Sequence, residues 1–238
     1  MQVGSDHSDI INKIIEVRNT YWETIQTLMS RYSWREQDAR IGIFAKCMNN
    51  FEPIMFSLMF EKEYLRKPEY QARFSKDHKT LPTQQEIDNI CERYLMYQQM
   101  AFADLFFSAI ESSFRVFVRS IDAQACSNAT ATFQSVYSYL LRQTNQQQYE
   151  SLLNLWRLIR NTQHNNGVYI DSRSPTVIVN YKNNTYNFSN NVFFRDVDMI
   201  LLLDMSVDAR EMIQKIIESA PLSNITEIID PTYHEIDP

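Results

Sequence analysis

The fold is decided by residues 83–122, which read TQQEIDNICERYLMYQQMAFADLFFSAIESSFRVFVRSID. Thr83 and Glu86 form a capping box, a pattern in which the two side chains satisfy the free backbone N–H groups at the start of a helix. No glycine or proline follows before Asp122, and apolar residues recur at helical spacing. At 1.5 Å per residue such a helix is more than about 50 Å long. We therefore predict a central helix, here called the spine helix, around which the other elements pack.

The rest of the chain predicts more helices and one hairpin. After Gly167, β-branched residues alternate with polar ones and Asn183-Asn184 form a turn signal, which predicts a small β-hairpin around residues 168–188. The fold class is therefore mostly α, a helical bundle with a small β-hairpin. The predicted helices are 8–30, 35–51, 129–142, 146–165 and 195–219, with an apolar run at 54–60 and a polar loop at 66–82.

Charge divides the chain into a body and a tail. The formal net charge is −6, but five acids and no Lys or Arg follow Lys215. Without those five acids the net charge is −1. We predict a single domain at 1–220 and an acidic, loosely held tail at 221–238. One use for such a tail is to cover a basic cleft.

The composition excludes several enzyme classes. The chain has three glycines, Gly4, Gly42 and Gly167. A Walker A loop, a dinucleotide-binding loop and a nucleophile elbow each need two or more closely spaced glycines. P-loop NTPases, Rossmann dehydrogenases and ordinary α/β-hydrolases are therefore excluded.

Metal and cofactor motifs are missing from the sequence. The three cysteines are isolated and odd in number, which argues against a disulfide framework or a zinc knuckle and favours buried, reduced side chains. None of the four histidines has a second histidine at helical spacing. We expect no metal and no cofactor. The chain opens without a signal-peptide pattern and contains no bilayer-spanning apolar run, so we also expect a cytoplasmic protein without a membrane segment.

One short segment, RLIRNTQHNNG at 157–167, places groups suited to phosphodiester chemistry on one helix face. Arg160 lies four residues before His164 and Arg157 lies seven before it, with Asn161 on the same side. An arginine holds and neutralises a phosphate, and a histidine moves protons near neutral pH. The 2′-hydroxyl of RNA can serve as an internal nucleophile, so this chemistry requires no metal.

A structural interpretation explains the same residues. His164 falls in the last helical turn, where the helix dipole favours an imidazolium and where the ring can bond free carbonyls. The arginines can simply pair with acids. Both interpretations remain open at this point.

The segment Leu158–Gly167 resembles the RN…H signature of the HEPN superfamily of all-helical proteins. The preceding long helix, with ESSFR at 111–115, resembles an earlier core helix of that family. The resemblance covers residues 83–220, and the helices of 8–66 are expected to pack on this HEPN-like core. It implies a bundle that dimerises so that two motifs face each other across a cleft.

The resemblance also implies functions. Many members are metal-independent ribonucleases in toxin–antitoxin, phage-defence or RNA-processing systems, and others are inactive binding or regulatory modules. By resemblance Arg160 binds the phosphate, Asn161 is its polar neighbour and His164 is the general acid/base, while Arg157 and Asn165 are candidate substrate-binding residues. The family usually has four to six residues between arginine and histidine. Here Arg160 leaves three and Arg157 leaves six.

Three functions therefore remain as hypotheses: a HEPN-like metal-independent endoribonuclease, a non-catalytic HEPN-like binding or regulatory module, and an unrelated helical scaffold. We expect a homodimer through the spine helix and the predicted helix 146–165, which carries Arg160 and His164. The reason is that the apolar face at 105–118 is larger than a monomer of this size needs. RNA and a cognate regulatory protein are the other expected partners.

Overall fold

The structure is a computed structural model that describes residues 7–67, 69–71, 83–127, 131–171 and 175–231. Helices dominate these residues, together with a two-stranded antiparallel sheet. The predicted fold class, mostly α with a small hairpin, is confirmed. In chain order the elements are α1 (Ser8–Tyr32), α2 (Ala39–Met48), α3 (Phe51–Phe60), α4 (Gln84–Ile121), α5 (Phe133–Gln143), α6 (Glu150–His164), β1 (Thr176–Tyr181), β2 (Asn184–Ser189), α7 (Met199–Glu218) and α8 (Ala220–Ser223).

Helix α4 is the spine helix, and its start is the one that the sequence predicts. The Glu86 N–H donates to Thr83 Oγ1 at 3.3 Å, and the Thr83 N–H donates to the Glu86 carboxylate at 2.7 Å. The helix then continues for 38 residues and ends where Asp122 turns to extended backbone. It contacts α2, α3, α5 and α6, so it is central in the bundle.

Most of the apolar face at 105–118 is buried by contacts within the chain. Leu105 is 54% exposed, but the other large apolar side chains of this face are nearly inaccessible. The size of this face is therefore explained by intramolecular packing, and it gives no separate argument for a dimer. The buried members are Phe106, Phe107, Ile110, Phe114, Phe117 and Val118.

The N-terminal helices share one core with the last long helix. Tyr21 of α1 is fully buried and its ring lies 6.1 Å from that of Phe106 on α4. Its hydroxyl donates to the Ser206 carbonyl of α7 at 2.7 Å. Tyr21 thereby links the first, central and last parts of the helical body.

The start of the predicted acidic tail is docked, not loosely held. Leu222 and Ile228 are buried. Arg40 of α2 donates to the carbonyls of Leu222 and Ile225, and the Ile228 carbonyl accepts from the Ala39 N–H at 2.8 Å. The prediction of a loose tail is therefore wrong for 221–231, because charge counting does not reveal hydrogen bonds between a buried arginine and distant carbonyls. Residues 232–238 lie outside the described residues.

The hairpin forms one residue earlier than its turn signal indicates. Tyr181 pairs with Asn184, so the turn is Lys182-Asn183, with Lys182 at φ 52°. At the start of the predicted hairpin region, Val168 forms only an isolated bridge with Phe193. None of the helices in the described ranges combines the length and apolar composition needed to cross a bilayer.

Candidate functional site

Helix α6 carries the predicted site residues along the solvent edge of the face that packs on α4. Trp156 is fully buried, stacks on Phe106 of α4 at 5.0 Å, and donates from Nε1 to the Ala103 carbonyl at 3.1 Å. These contacts fix α6 against the spine helix. Asn161 and His164 are exposed, and Arg160 is half-buried, so the amphipathic pattern of this segment is confirmed.

Arg160 is held by two carboxylates of α4. Its Nε donates to Asp104 at 2.9 Å and its Nη1 donates to Glu111 at 2.7 Å. The guanidinium also lies over the Phe107 ring, 5.2 Å from the ring centroid. Its Nη2 makes no hydrogen bond with the residues that the structure describes. Two nitrogens of Arg160 therefore donate to carboxylates, and Nη2 has no acceptor among the described residues.

A second arginine joins this cluster from the same spine helix. Arg115 donates to the other oxygen of Glu111 at 2.7 Å. Two guanidiniums thus face two carboxylates across α4 and α6. The formal charge of this four-residue group is zero, so it does not by itself attract a phosphate.

His164 lies beside the cluster and faces solvent. Its Nε2 is 4.0 Å from Asp104 Oδ1, and its side chain is 60% exposed. The free carbonyl of Asn161 in the same turn accepts from the Asn165 side chain at 2.9 Å. Asn165 thus takes the capping role that the structural interpretation gave to His164. Arg160 and His164, predicted to share a face, are brought together at Asp104.

Arg157 has different neighbours from Arg160. Its Nη2 donates to Asn154 at 2.6 Å, and its Nε is buried without an acceptor. Burial raises the pKa of Tyr137, and Arg157 opposes that rise. Arg157 has no acidic partner among the described residues, so its positive charge is not compensated locally.

Sequence reasoning did not assign roles to the acids that complete the site. Asp104 and Glu111 are seven residues apart and Arg115 follows four later, so all three lie along one side of α4. Charged residues at this spacing on a largely apolar helix are the signal that could have identified them. Their partner could not be read from the sequence, because Arg160 is 56 residues from Asp104.

Nucleophilic thiols and metal clusters are not part of this arrangement. Cys47 and Cys91 are fully buried, as predicted, whereas Cys126 is only half-buried. Burial raises the pKa of the Cys91 thiol to about 11 and also raises the pKa of Cys47, so both remain protonated at neutral pH. Within the described ranges, no three His, Cys, Asp or Glu residues are grouped so that they could hold a metal ion. His78 and His234 lie outside those ranges.

A buried ion-pair cluster lies elsewhere, at a π-helical turn, Glu61–Leu65, that continues α3. Glu61 is fully buried and contacts His7 Nε2 at 2.9 Å and Arg66 Nη2 at 2.6 Å. No local sequence pattern indicates that His7 has a partner 54 residues away. Because this cluster is closed to solvent at His7 and Glu61, we assign it a structural role.

Comparisons with protein-family models, with curated proteins and with solved structures give no match for this chain. The resemblance to the HEPN superfamily therefore rests on the quoted residues of the sequence alone.

Proposed function

We propose that this protein is a HEPN-like, metal-independent endoribonuclease of a cytoplasmic toxin–antitoxin or phage-defence system. His164 acts as the general acid/base on the 2′-hydroxyl or the leaving oxygen of RNA. An arginine, Arg160 or Arg157, neutralises the phosphate, and Asn161 and Asn165 lie beside it. The protein acts as a homodimer and is restrained by a cognate regulatory protein.

One observation carries this proposal: an exposed imidazole lies 4.0 Å from a carboxylate that also binds an arginine. Proton transfer needs a histidine that substrate can reach, and an adjacent carboxylate orients the ring and stabilises its protonated form. The open Nη2 of Arg160 supplies a hydrogen-bond donor, and the uncompensated charge of Arg157 supplies positive charge within the same helix. Asp104 is thereby proposed as a positioning residue for His164.

A second function, a non-catalytic binding or regulatory module, is favoured by a different observation. Arg160 already has two carboxylate partners, and phosphate binding by its Nε and Nη1 would require their displacement. In a module of this kind the α6 face binds a protein or RNA without cleaving it. Exposed apolar residues of α4, Leu105 at 54% and Tyr97 at 63%, would then belong to the contact surface.

The deciding experiment is cleavage of labelled single-stranded RNA in EDTA, beside the same sequence as DNA. We expect RNA alone to be cut, because the attacking group is the 2′-hydroxyl. His164→Ala should lower the rate about 10²–10⁴-fold, the usual contribution of a general acid/base. Because His164 is largely exposed, its loss should leave the melting temperature nearly unchanged.

Ser151→Ala, an exposed change on the same helix, is the matched control and should keep full activity. A wild type that cuts no RNA, but is a dimer by light scattering at tens of micromolar, favours the second function. If the wild type is a monomer that cuts no RNA, and His164→Ala lowers the melting temperature, only the scaffold hypothesis remains.

A further inference from the structure

A cavity of about 430 Å³ lies between α4, the last turns of α6 and the chain that leads into α7. Its volume is within the range of about 300–1,000 Å³ that small-ligand sites occupy. The walls are largely apolar, with charged groups among them. The apolar side chains lining it are Leu95, Met96, Met100, Ile159, Phe193, Phe194 and Val197.

One wall depends on Gly167. This residue has φ +85°, and a Cβ built on it would lie 2.4 Å from a ring carbon of Phe193. The glycine therefore lets the Phe193 ring lie directly against the backbone at the end of α6. The Arg195 guanidinium lies over the same ring, 5.6 Å from its centroid. Phe193 and Arg195 together form an aromatic and cationic edge of the cavity.

Three charged side chains line the cavity, Arg66, Glu92 and Arg195. Arg66 forms ion pairs with Glu61 at 2.6 Å and with Asp88 at 3.2 Å. Glu92 and Arg195 form no ion pair with any residue in the described part of the chain, and both are exposed. An apolar cavity thus carries one available negative charge and one available positive charge.

We propose that this cavity binds a small zwitterion with an apolar body, that is, an apolar α-amino acid or a short apolar peptide. The ligand ammonium pairs with Glu92, the carboxylate pairs with Arg195, and the side chain lies among Met96, Met100 and Phe193. A simple anion or cation would satisfy one of the two charges and be repelled by the other. Charge complementarity therefore selects a molecule with both charges.

The site is separate from the proposed ribonuclease chemistry but is joined to it through α6. Thr162 and Gln163 line the cavity, and His164 follows them in the same helical turn. Binding can be measured without RNA, so the proposal does not rest on cleavage. Its failure and the failure of the proposed function are therefore distinguishable.

The test is calorimetric titration of the full chain with L-phenylalanine and with the dipeptide leucyl-phenylalanine. These two probes distinguish a free amino acid from a short peptide as the ligand. N-acetyl-L-phenylalanine lacks the ammonium charge and L-phenylalaninamide lacks the carboxylate. We expect each blocked form to bind about two- to fivefold more weakly than phenylalanine, because each exposed ion pair contributes little.

Two variants assign the charges. Glu92→Gln should weaken phenylalanine binding but not the binding of the N-acetyl form, and Arg195→Gln should weaken phenylalanine binding but not that of the amide. Arg93→Gln and Glu36→Gln change the same charges at exposed positions that do not line the cavity, and they should have no effect. Binding of one parent probe alone supports the proposal and identifies the ligand size. No binding of either at about 10 mM, or variants that act like their controls, would overturn it.

Discussion

Arg40 and Arg160 are both held by carboxylates above an aromatic ring, yet their surroundings differ. Arg40 is fully buried, binds both oxygens of Asp38, and lies 4.1 Å from the Trp34 ring centroid. Its remaining donor capacity goes to backbone carbonyls of the C-terminal segment, so each of its nitrogens is used. Arg160 is 27% exposed, leaves Nη2 open and lies beside a solvent-facing histidine.

The difference separates a closed arginine pair from an exchangeable one on physical grounds. Removing a partner from a closed, buried ion pair leaves an uncompensated charge in a medium of low polarity, which is costly. Near solvent, a carboxylate partner can be exchanged for a phosphate or for water at little cost. Arg40 therefore stabilises the fold, whereas Arg160 is available for chemistry if a stronger anion displaces Asp104 or Glu111.

The largest expected effect is on stability at Arg40. Arg40→Met should lower the free energy of unfolding by about 3–5 kcal/mol, because Asp38 is left buried without a counter-charge. Arg160→Met should cost less, about 1 kcal/mol, because this half-buried pair reaches solvent and Arg115 still faces Glu111. Urea unfolding of both variants measures the difference.

A double variant tests the cause of the Arg40 effect. Adding Asp38→Asn to Arg40→Met removes the uncompensated charge and should restore part of the lost stability. Equal losses for Arg40→Met and Arg160→Met would remove the distinction between the two sites.

The sequence predicts those parts of the molecule whose causes are local. The capping box at Thr83 and the periodicity after it predict α4 almost to the residue, because both signals act within one or two helical turns. Gly167 follows α6 with φ 85°, the left-handed conformation that a glycine after a helix adopts readily. The turn of the hairpin is displaced by one residue, since Lys182 adopts the positive φ that asparagine adopts more readily.

Partners that are distant in the chain were not predictable. Arg40 meets carbonyls more than 180 residues away, and no periodicity encodes that contact. The same holds for Arg160 with Asp104 and for His7 with Glu61. The candidate site was therefore predicted as a set of residues on one helix face, while the acids that decide its charge became visible only in the structure.

A third arginine pair, Arg66 with Glu61, is more buried than the Arg160 pairs and less buried than the Arg40 pair. It predicts that the stability of the protein depends on pH. Burial opposes ionisation of Glu61, but hydrogen bonds from His7 and Arg66 outweigh it and lower the pKa of this carboxyl below its ordinary value of 4.5. A lowered pKa in the folded state contributes stability that is present above about pH 4.5 and is lost as the pH falls through the folded-state pKa. Wild type should therefore lose stability in this acidic window.

The matched variant is Glu61→Gln, which cannot ionise. Its unfolding free energy should be lower than that of wild type at pH 7 and should fall less steeply between pH 5 and the acid limit. The control is Glu63→Gln, an exposed change in the same π-helical turn. Parallel pH profiles for wild type and Glu61→Gln would show that the buried pair has no role in acid stability.

The smallest expected effect tests whether Arg160 is exchangeable. Glu111→Gln removes one of the two carboxylates that hold Arg160 and leaves the cluster with a net positive charge. Single-stranded RNA should then bind about two- to fivefold more tightly at roughly 50 mM salt, and the gain should disappear as salt screens it. Glu36→Gln makes the same change in net charge at an exposed position away from α6, so it separates a local effect from a general one. If the two variants bind RNA equally, Arg160 does not exchange its carboxylate partners for phosphate. Arg157, whose charge has no acidic partner among the described residues, would then be the arginine that binds the phosphate.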